Sequence, residues 1–189
     1  MTTNIDWTQE FAGFFHWCHP RLTEVLDASG VRELWLQGEA YRYFRRHRTG
    51  GTLCVYTNTH NKSDLAFYAT DTDESPIAVV EIKLLGLDYQ SKMLTGHSDL
   101  RPYVTHASGQ RFVFDRTHAD QAHPKVNSVL GDYKKLLVEP HGRRFLILVL
   151  NTACPGSGFG EAVQNVDFGG PGDVVHDRSP VTVTCWEIR

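Results

Sequence analysis

Three ionisable residues near the middle of the chain are spaced in a way that could carry hydrolytic chemistry. Asp64 opens one apolar segment, and Glu81 and Lys83 interrupt a second segment that spans residues 77–85. Both segments are strand-like, and the polar residues 71–76 between them are typical of a turn. Side chains two positions apart on a strand share a face, so Glu81 and Lys83 project together. Antiparallel pairing across the turn is expected to bring Asp64 opposite them.

Two carboxylates beside an ammonium group suit the hydrolysis of a phosphodiester. The scissile phosphate is anionic and repels hydroxide, so carboxylates are used to hold one or two Mg²⁺ or Mn²⁺ ions, which lower the pKa of a bound water. Lys83 would orient or deprotonate that water and stabilise the transition state. The alternative is an ion pair on a solvent-facing sheet surface, where Glu and Lys are tolerated. The apolar residues around the charges favour a covered cleft.

Asp64 and the triplet Glu81-Ile82-Lys83, separated by a short hairpin, resemble the Asp…(Asp/Glu)-x-Lys signature of the restriction-endonuclease-like nucleases, the PD-(D/E)xK superfamily. Ser63 stands where the usual proline of the signature would precede the acid. The resemblance implies that Asp64 and Glu81 are metal ligands and that Lys83 is catalytic. The backbone carbonyl of Ile82 would be a further ligand. A core with the element order α-β-β-β-α-β is implied as well.

A glutamate on the helix before the first core strand is also implied to reach the metal. The stretch Gln37-Gly38-Glu39-Ala40-Tyr41 resembles that helix of the superfamily. Glu39 is therefore a candidate catalytic and metal-binding residue. The alternative is that Glu39 lies at the surface or pairs with a side chain three or four positions further on, such as Arg42.

The order of elements predicted from the sequence fits such a core. Apolar periodicity, prolines and glycines predict a helix, three strands, a helix and a strand over residues 31–47, 52–57, 64–70, 77–85, 124–138 and 144–150. The last strand is nearly all apolar, and a helix followed by such a strand predicts a parallel crossover onto residues 77–85. We therefore expect an α/β protein of the restriction-endonuclease-like class, with a mixed central sheet flanked by helices.

The whole chain, residues 1–189, is expected to be a single domain with residues 30–150 as its core. Residues 1–29 predict a helical extension whose regularly spaced aromatic residues cover one flank of the sheet. Pro20 is expected to divide this extension into two short helices.

Two further segments lie within or after the core. Residues 86–123 are a long insertion, expected to form a contact arm or dimer surface, with a strand pair near residues 102–105 and 111–114. Residues 151–189 comprise a glycine-rich loop and a closing strand at residues 181–188, which we expect at a sheet edge.

Basic residues near the acidic signature are candidates for contacting the phosphates of a nucleic acid. They lie at the end of the first core helix, in the turn before Asp64 and on the second core helix, and are Arg42, Arg45, Arg46, Lys62, Lys134 and Lys135. The alternatives are that the arginines complement the helix dipole and that Lys62 is a solvated turn residue.

The overall composition excludes some classes of protein. With 189 residues and a formal net charge of −3, the chain is long enough for a real core but does not coat nucleic acid by bulk charge. The four cysteines are scattered without a Cys-x-x-Cys pair, so we expect reduced thiols. No apolar stretch reaches membrane-spanning length and no signal-peptide pattern is present, so no membrane contact and a cytoplasmic location are expected.

Together with these residues, the resemblance implies an Mg²⁺- or Mn²⁺-dependent endonuclease that hydrolyses DNA, in defence or repair. A catalytically silent nuclease-fold module that binds protein or nucleic acid is one alternative. Cleavage of RNA by the same site is another, because the phosphate chemistry does not distinguish the two sugars. Because the chain is small and acidic, a homodimer or a partner subunit is expected to contribute to substrate affinity.

Overall fold

The computed structural model describes residues 5–26, 32–47, 53–57, 60–85, 104–107, 111–114, 129–153, 168 and 172–189. They form a mixed α/β protein in which a six-stranded sheet is flanked by helices. The helices are α1 (Trp7–Val25), α2 (Arg32–His47) and α3 (Val129–Leu137). The strands are β1 (Cys54–Tyr56), β2 (Leu65–Tyr68), β3 (Ala78–Leu85), β4 (Val104–Ala107), β5 (Arg111–Phe114), β6 (Arg143–Asn151), β7 (Asp173–Arg178) and β8 (Val181–Ile188).

The main sheet has the strand order β1-β2-β3-β6-β8-β7. Neighbouring strands are antiparallel except for β3 and β6, which run parallel with Val80 opposite Phe145. The order of helices and strands predicted for residues 30–150 and the parallel crossover are thus confirmed. β4 and β5 pair in a separate two-stranded sheet, as predicted for the insertion. The rest of the insertion lies outside the described residues.

The sheet separates two apolar layers. On one side, α1 and α2 pack on the alternate β3 residues Val80, Ile82 and Leu84. On the other side, α3 packs on Val79. Glu81 and Lys83 alternate with the first set, so they point toward α3, and the facing predicted for this strand is confirmed. None of the helices in the described residues is long and apolar enough to cross a membrane.

The N-terminal extension is one continuous helix, so the prediction that Pro20 divides it was wrong. A proline inside a helix costs roughly 3 kcal/mol. The buried face of α1 continues across Pro20, with Phe15 and Cys18 before it and Leu22 after it. Each such buried side chain contributes about 1.5–3 kcal/mol, so tertiary packing outweighs the break. The expectation that this segment covers a flank of the sheet is confirmed by Trp7, whose ring centroid lies 4.9 Å from that of Phe67.

The closing strand β8 is not at a sheet edge, and that prediction was also wrong. β8 pairs with β6 on one side and with β7 on the other, so the edge belongs to β7. The sequence of β7 did not suggest a strand because its register shifts between Val174 and His176, and such an irregularity breaks the alternation of apolar and polar residues. Most of the glycine-rich segment before β7 lies outside the described residues.

Candidate functional site

The polar side chains gather at the edge of β3 that β2 leaves uncovered, on the side of β3 opposite to β6. β2 begins at Leu65, opposite Val80, whereas β3 runs on to Leu85. On this uncovered edge, the backbone amides of Ile82 and Leu84 are paired by side chains instead of by a strand. Asp64 Oδ2 accepts a hydrogen bond from the Ile82 amide at 2.7 Å, and Glu33 Oε1 accepts one from the Leu84 amide at 3.3 Å. A requirement of the backbone therefore places two carboxylates at this edge.

Asp64 is held in place from both sides. Its Oδ1 accepts a hydrogen bond of 2.7 Å from Nε2 of Gln37, a buried residue of α2. Burial raises the pKa of Asp64, although the Ile82 amide and the charge of Lys83 act in the opposite direction. Asp64 is thus a rigidly positioned carboxyl group in a site that disfavours its ionised form.

The surroundings of Glu81 disfavour its ionised form more strongly than those of Asp64 do. Only 3% of the residue is exposed, and its Oε1 lies 2.5 Å from Nζ of Lys135 on α3. Burial and the charge of Asp64 raise the pKa of Glu81 to about 8, so the ammonium group of Lys135 offsets only part of the cost. Asp64 and Glu81 therefore act on each other electrostatically, as expected from their predicted positions on paired strands.

Lys83 connects the two helical layers. Its Nζ lies 3.1 Å from Oδ2 of Asp132 on α3 and 3.5 Å from Oε2 of Glu33 on α2. Burial alone would lower the pKa of Lys83, but these two carboxylates raise it, so the side chain is charged at neutral pH. Burial raises the pKa of Asp132 to about 6 even though Lys83 opposes this.

The alternative of a solvent-facing ion pair is wrong, because Glu81 and Lys83 are both buried. The site contains more carboxylates than ammonium groups. Lys83 and Lys135 face four acidic residues, which are Glu33, Asp64, Glu81 and Asp132. Full ionisation would thus leave a surplus of two negative charges.

The contacts of these side chains bear on whether the site could hold a divalent cation. Among the described residues, no three His, Cys, Asp or Glu side chains are grouped so as to hold a metal ion. Oε1 of Glu81 and Oδ2 of Asp132 are buried, and each lies next to a lysine ammonium group, at 2.5 Å and 3.1 Å. The charge surplus of two would suit a hard cation such as Mg²⁺ or Mn²⁺, but a cation could reach these oxygens only by displacing a lysine.

Glu39 does not join these residues. It accepts a hydrogen bond of 3.1 Å from Nε of Arg21 and lies 3.8 Å from a guanidinium nitrogen of Arg42. This is the ion pair named above as the alternative for Glu39. Positions 33 and 37 are four apart and share one side of α2, whereas position 39 lies on another side. Glu33 and Gln37 are therefore the α2 residues that contact the site.

The predicted phosphate-contacting residues divide into two groups. Lys135 and the backbone of Lys62 are at the site, since Lys135 Nζ donates to the Lys62 carbonyl at 2.8 Å. Lys134 is the neighbouring residue on α3 and is partly buried.

The arginines lie elsewhere on α2. Arg42 contacts Glu39, and Arg45 donates a hydrogen bond to the Tyr41 hydroxyl. At 1.5 Å per residue, Arg45 lies about 12 Å beyond Gln37 along the helix. Arg46 also belongs to α2, but its side chain lies outside the description. The structure does not bring the described arginine side chains to Asp64.

Three residues of the site were missed in the sequence, namely Glu33, Gln37 and Asp132. Asp132 lies on the apolar face of α3, three positions after Val129 and four before Leu136, and an acidic residue there was a usable signal. Glu33 and Gln37 share a side of α2 with the buried residue Ala40, which was a second signal. Neither signal could say which strand the helix face would meet.

Comparison with profiles of protein families, with curated proteins and with solved structures gives no match for this chain. What the geometry defines is an α/β protein with a cluster of four acidic residues and two lysines at the open edge of β3. Glu81, Lys83 and Asp132 are buried in this cluster, whereas Glu33, Asp64 and Lys135 are partly exposed.

Proposed function

We propose that this protein is a metal-dependent nuclease with a restriction-endonuclease-like core, which hydrolyses the phosphodiester bonds of DNA. The observation that carries the proposal is the surplus of buried carboxylate around Asp64 and Glu81, next to a charged Lys83. The element order α2-β1-β2-β3-α3-β6, with β4 and β5 inserted between β3 and α3, and the parallel pairing of β3 with β6 support the same core.

Asp64 and Glu81 would hold Mg²⁺ or Mn²⁺, and the Ile82 carbonyl is a third candidate ligand. The amide and carbonyl of one strand residue point to the same neighbour, so a carbonyl whose amide meets Asp64 faces the Asp64 edge. A bound divalent ion supplies Lewis acidity and lowers the pKa of a coordinated water. Glu39 has no part in this arrangement, because Arg21 and Arg42 pair with it.

Lys83 would orient the attacking water and stabilise negative charge that develops on the phosphoryl oxygens. The sequence left open whether Lys83 deprotonates the water. Its raised pKa favours the charged form, which donates hydrogen bonds and cannot accept a proton. Asp132 and Glu33 are positioning residues for this ammonium group, because both contact it from flanking helices.

A silent nuclease-fold module is the second candidate, and one observation favours it. Glu81 is already paired with Lys135, and Asp132 with Lys83, so much of the acidic charge is neutralised by the protein itself. Such a module would bind nucleic acid or protein without cleaving it. Cleavage of RNA instead of DNA is an alternative form of the nuclease proposal. A homodimer or partner subunit that adds affinity for the substrate is also compatible with the nuclease proposal.

The test is cleavage of supercoiled, linear and single-stranded DNA and of RNA by the purified chain, with Mg²⁺, Mn²⁺ or chelator. We expect metal-dependent cleavage of DNA that is lost in Asp64→Asn and Glu81→Gln. Glu187→Gln is a matched control, because Glu187 pairs with Arg143 at the surface, away from the cluster. If the wild type cleaves nothing, or all variants cleave equally, the nuclease proposal fails.

A further inference from the structure

Lys135 occupies a position in the site that a metal ion would also suit. Its Nζ lies between two oxygens, Glu81 Oε1 at 2.5 Å and the Lys62 carbonyl at 2.8 Å. A carboxylate oxygen and a backbone carbonyl are the ligand types that Mg²⁺, Mn²⁺ and Ca²⁺ prefer. The ammonium group therefore sits where a cation is electrostatically favoured.

The two oxygens belong to rigid parts of the molecule. Glu81 is in the central strand β3, with 4% of its side chain exposed. The Lys62 carbonyl follows a turn in which Asn61 and Lys62 have φ angles of 48° and 58°. Non-glycine residues take this left-handed conformation uncommonly, so the surroundings must hold it.

The buried carboxylate of Glu139 supplies that support. It accepts hydrogen bonds from Asn61 Nδ2 at 2.8 Å and from the backbone amide of His141 at 3.1 Å, and its Oε1 lies 2.9 Å from His60 Nε2. The Ser63 amide also donates to the His60 carbonyl at 2.8 Å. The turn is thereby fastened to the end of α3, and the Lys62 carbonyl is kept in position.

Lys135, by contrast, can move away. About a third of its side chain (31%) is exposed, and its four-carbon stem has many rotamers. An ion pair with one partly exposed partner is easily opened. Because the two oxygens are fixed and the ammonium group can move, Glu81 can be neutralised either by Lys135 or by a cation bound in its place.

We propose that Lys135 is a built-in counter-ion of Glu81 that a divalent cation displaces when it binds, leaving Glu81 and the Lys62 carbonyl as oxygen donors. This inference rests on the proposed metal site and adds to it the Lys62 carbonyl as a ligand and Lys135 as the competitor. The role proposed for Lys135 explains how Glu81 can be buried while no cation is bound. The displaced ammonium group moves to the rim of the site, where a phosphate would meet it.

The first test is Mn²⁺ binding by the full chain without nucleic acid, measured by calorimetry or by the spin resonance of free Mn²⁺. Lys135→Met removes the competitor, so we expect its affinity for Mn²⁺ to exceed that of the wild type by about tenfold or more. Lys134→Met is the matched control on the same helix and should bind like the wild type. Equal or weaker binding by Lys135→Met overturns the inference and leaves the nuclease proposal standing.

The second test uses the wild type and does not depend on a variant that folds. Acetylation of lysines, read residue by residue by mass spectrometry, should label Lys135 at least severalfold faster at saturating Mn²⁺. Lys134 should be labelled at an unchanged rate. Unchanged labelling of Lys135 while Mn²⁺ is bound overturns the inference. A wild type and a Lys135→Met variant that both fail to bind Mn²⁺ would refute the metal site itself.

Discussion

Replacing Glu81 by Gln should stabilise the protein, and the gain should depend on pH. The pKa of Glu81 rises from an ordinary 4.5 to about 8 because the residue is buried next to Asp64. The unfolded chain therefore loses this proton near pH 4.5, whereas the folded protein keeps it until about pH 8. Since the folded state holds the extra proton in this window, stability falls as the pH rises through it and the whole cost is present above about pH 8.

The size of the effect follows from the same shift. Each tenfold change in the proton equilibrium is worth about 1.4 kcal/mol, so the full shift corresponds to about 5 kcal/mol. The shift already includes the attraction of Lys135, whose Nζ lies 2.5 Å from Oε1. A buried Gln amide whose hydrogen bonds are incomplete itself costs about 1–3 kcal/mol, so we expect the variant to gain about 2 kcal/mol. For a domain of this size such a gain raises the melting temperature by about 4–8 °C.

The assay is thermal unfolding of wild type and Glu81→Gln in chelator, from about pH 4 to about pH 9. The two curves should coincide at the acidic end, where Glu81 is neutral in both states, and separate progressively above it. Glu187→Gln is a control of opposite sign, because two hydrogen bonds from Arg143 help to lower the pKa of Glu187. That variant should lose stability above its unfolded pKa and match the wild type in acid. A Glu81→Gln variant that is no more stable than the wild type at about pH 9 would refute the reasoning.

Three further outcomes are expected. Lys83→Met should retain Mn²⁺ binding in calorimetry but lose most of the cleavage rate, and a rate within about twofold of the wild type would contradict its role. Glu33→Gln should lower the cleavage rate, whereas Glu39→Gln should not, because Glu33 contacts Lys83 and Glu39 pairs with arginines. A lower cleavage rate in Glu39→Gln with an unchanged rate in Glu33→Gln would show that Glu39 is the site residue instead. Charge reversal of Arg42 and Arg45 should change the salt dependence of DNA binding less than reversal of Lys135, measured as the slope of log affinity against log salt.

The hairpin of β2 and β3 could be predicted because its information is local. A short turn fixes the pairing register, and alternation along a strand fixes which side chains share a face. These two rules were enough to place Asp64, Glu81 and Lys83 together. The parallel pairing of β3 with β6 followed from an apolar strand after a helix, which permits few other arrangements.

The helical contributions could not be predicted in the same way. Which face of α2 meets the edge of β3 depends on how its apolar stripe packs against α1 and the sheet, and that packing is not local. The resemblance to nuclease helices selected Glu39, whereas packing brings Glu33 and Gln37 to the site. The break predicted at Pro20 was wrong for a related reason. Burial of apolar side chains on both sides of the proline stabilises the continuous helix by more than the low helix propensity of proline costs.

Folding alone explains some of the carboxylates in this site but not all of them. Where β2 stops, the amides of Ile82 and Leu84 need acceptors, and Asp64 and Glu33 provide them. Two acceptors satisfy that requirement. Glu81 and Asp132 accept no backbone amide among the described residues, yet both are buried with raised pKa values, and apolar residues of similar size would cost less there. The backbone does not require these two carboxylates, and their pairing with Lys83 and Lys135 only partly offsets the cost of burying them. They are therefore the residues for which the proposed metal site accounts best.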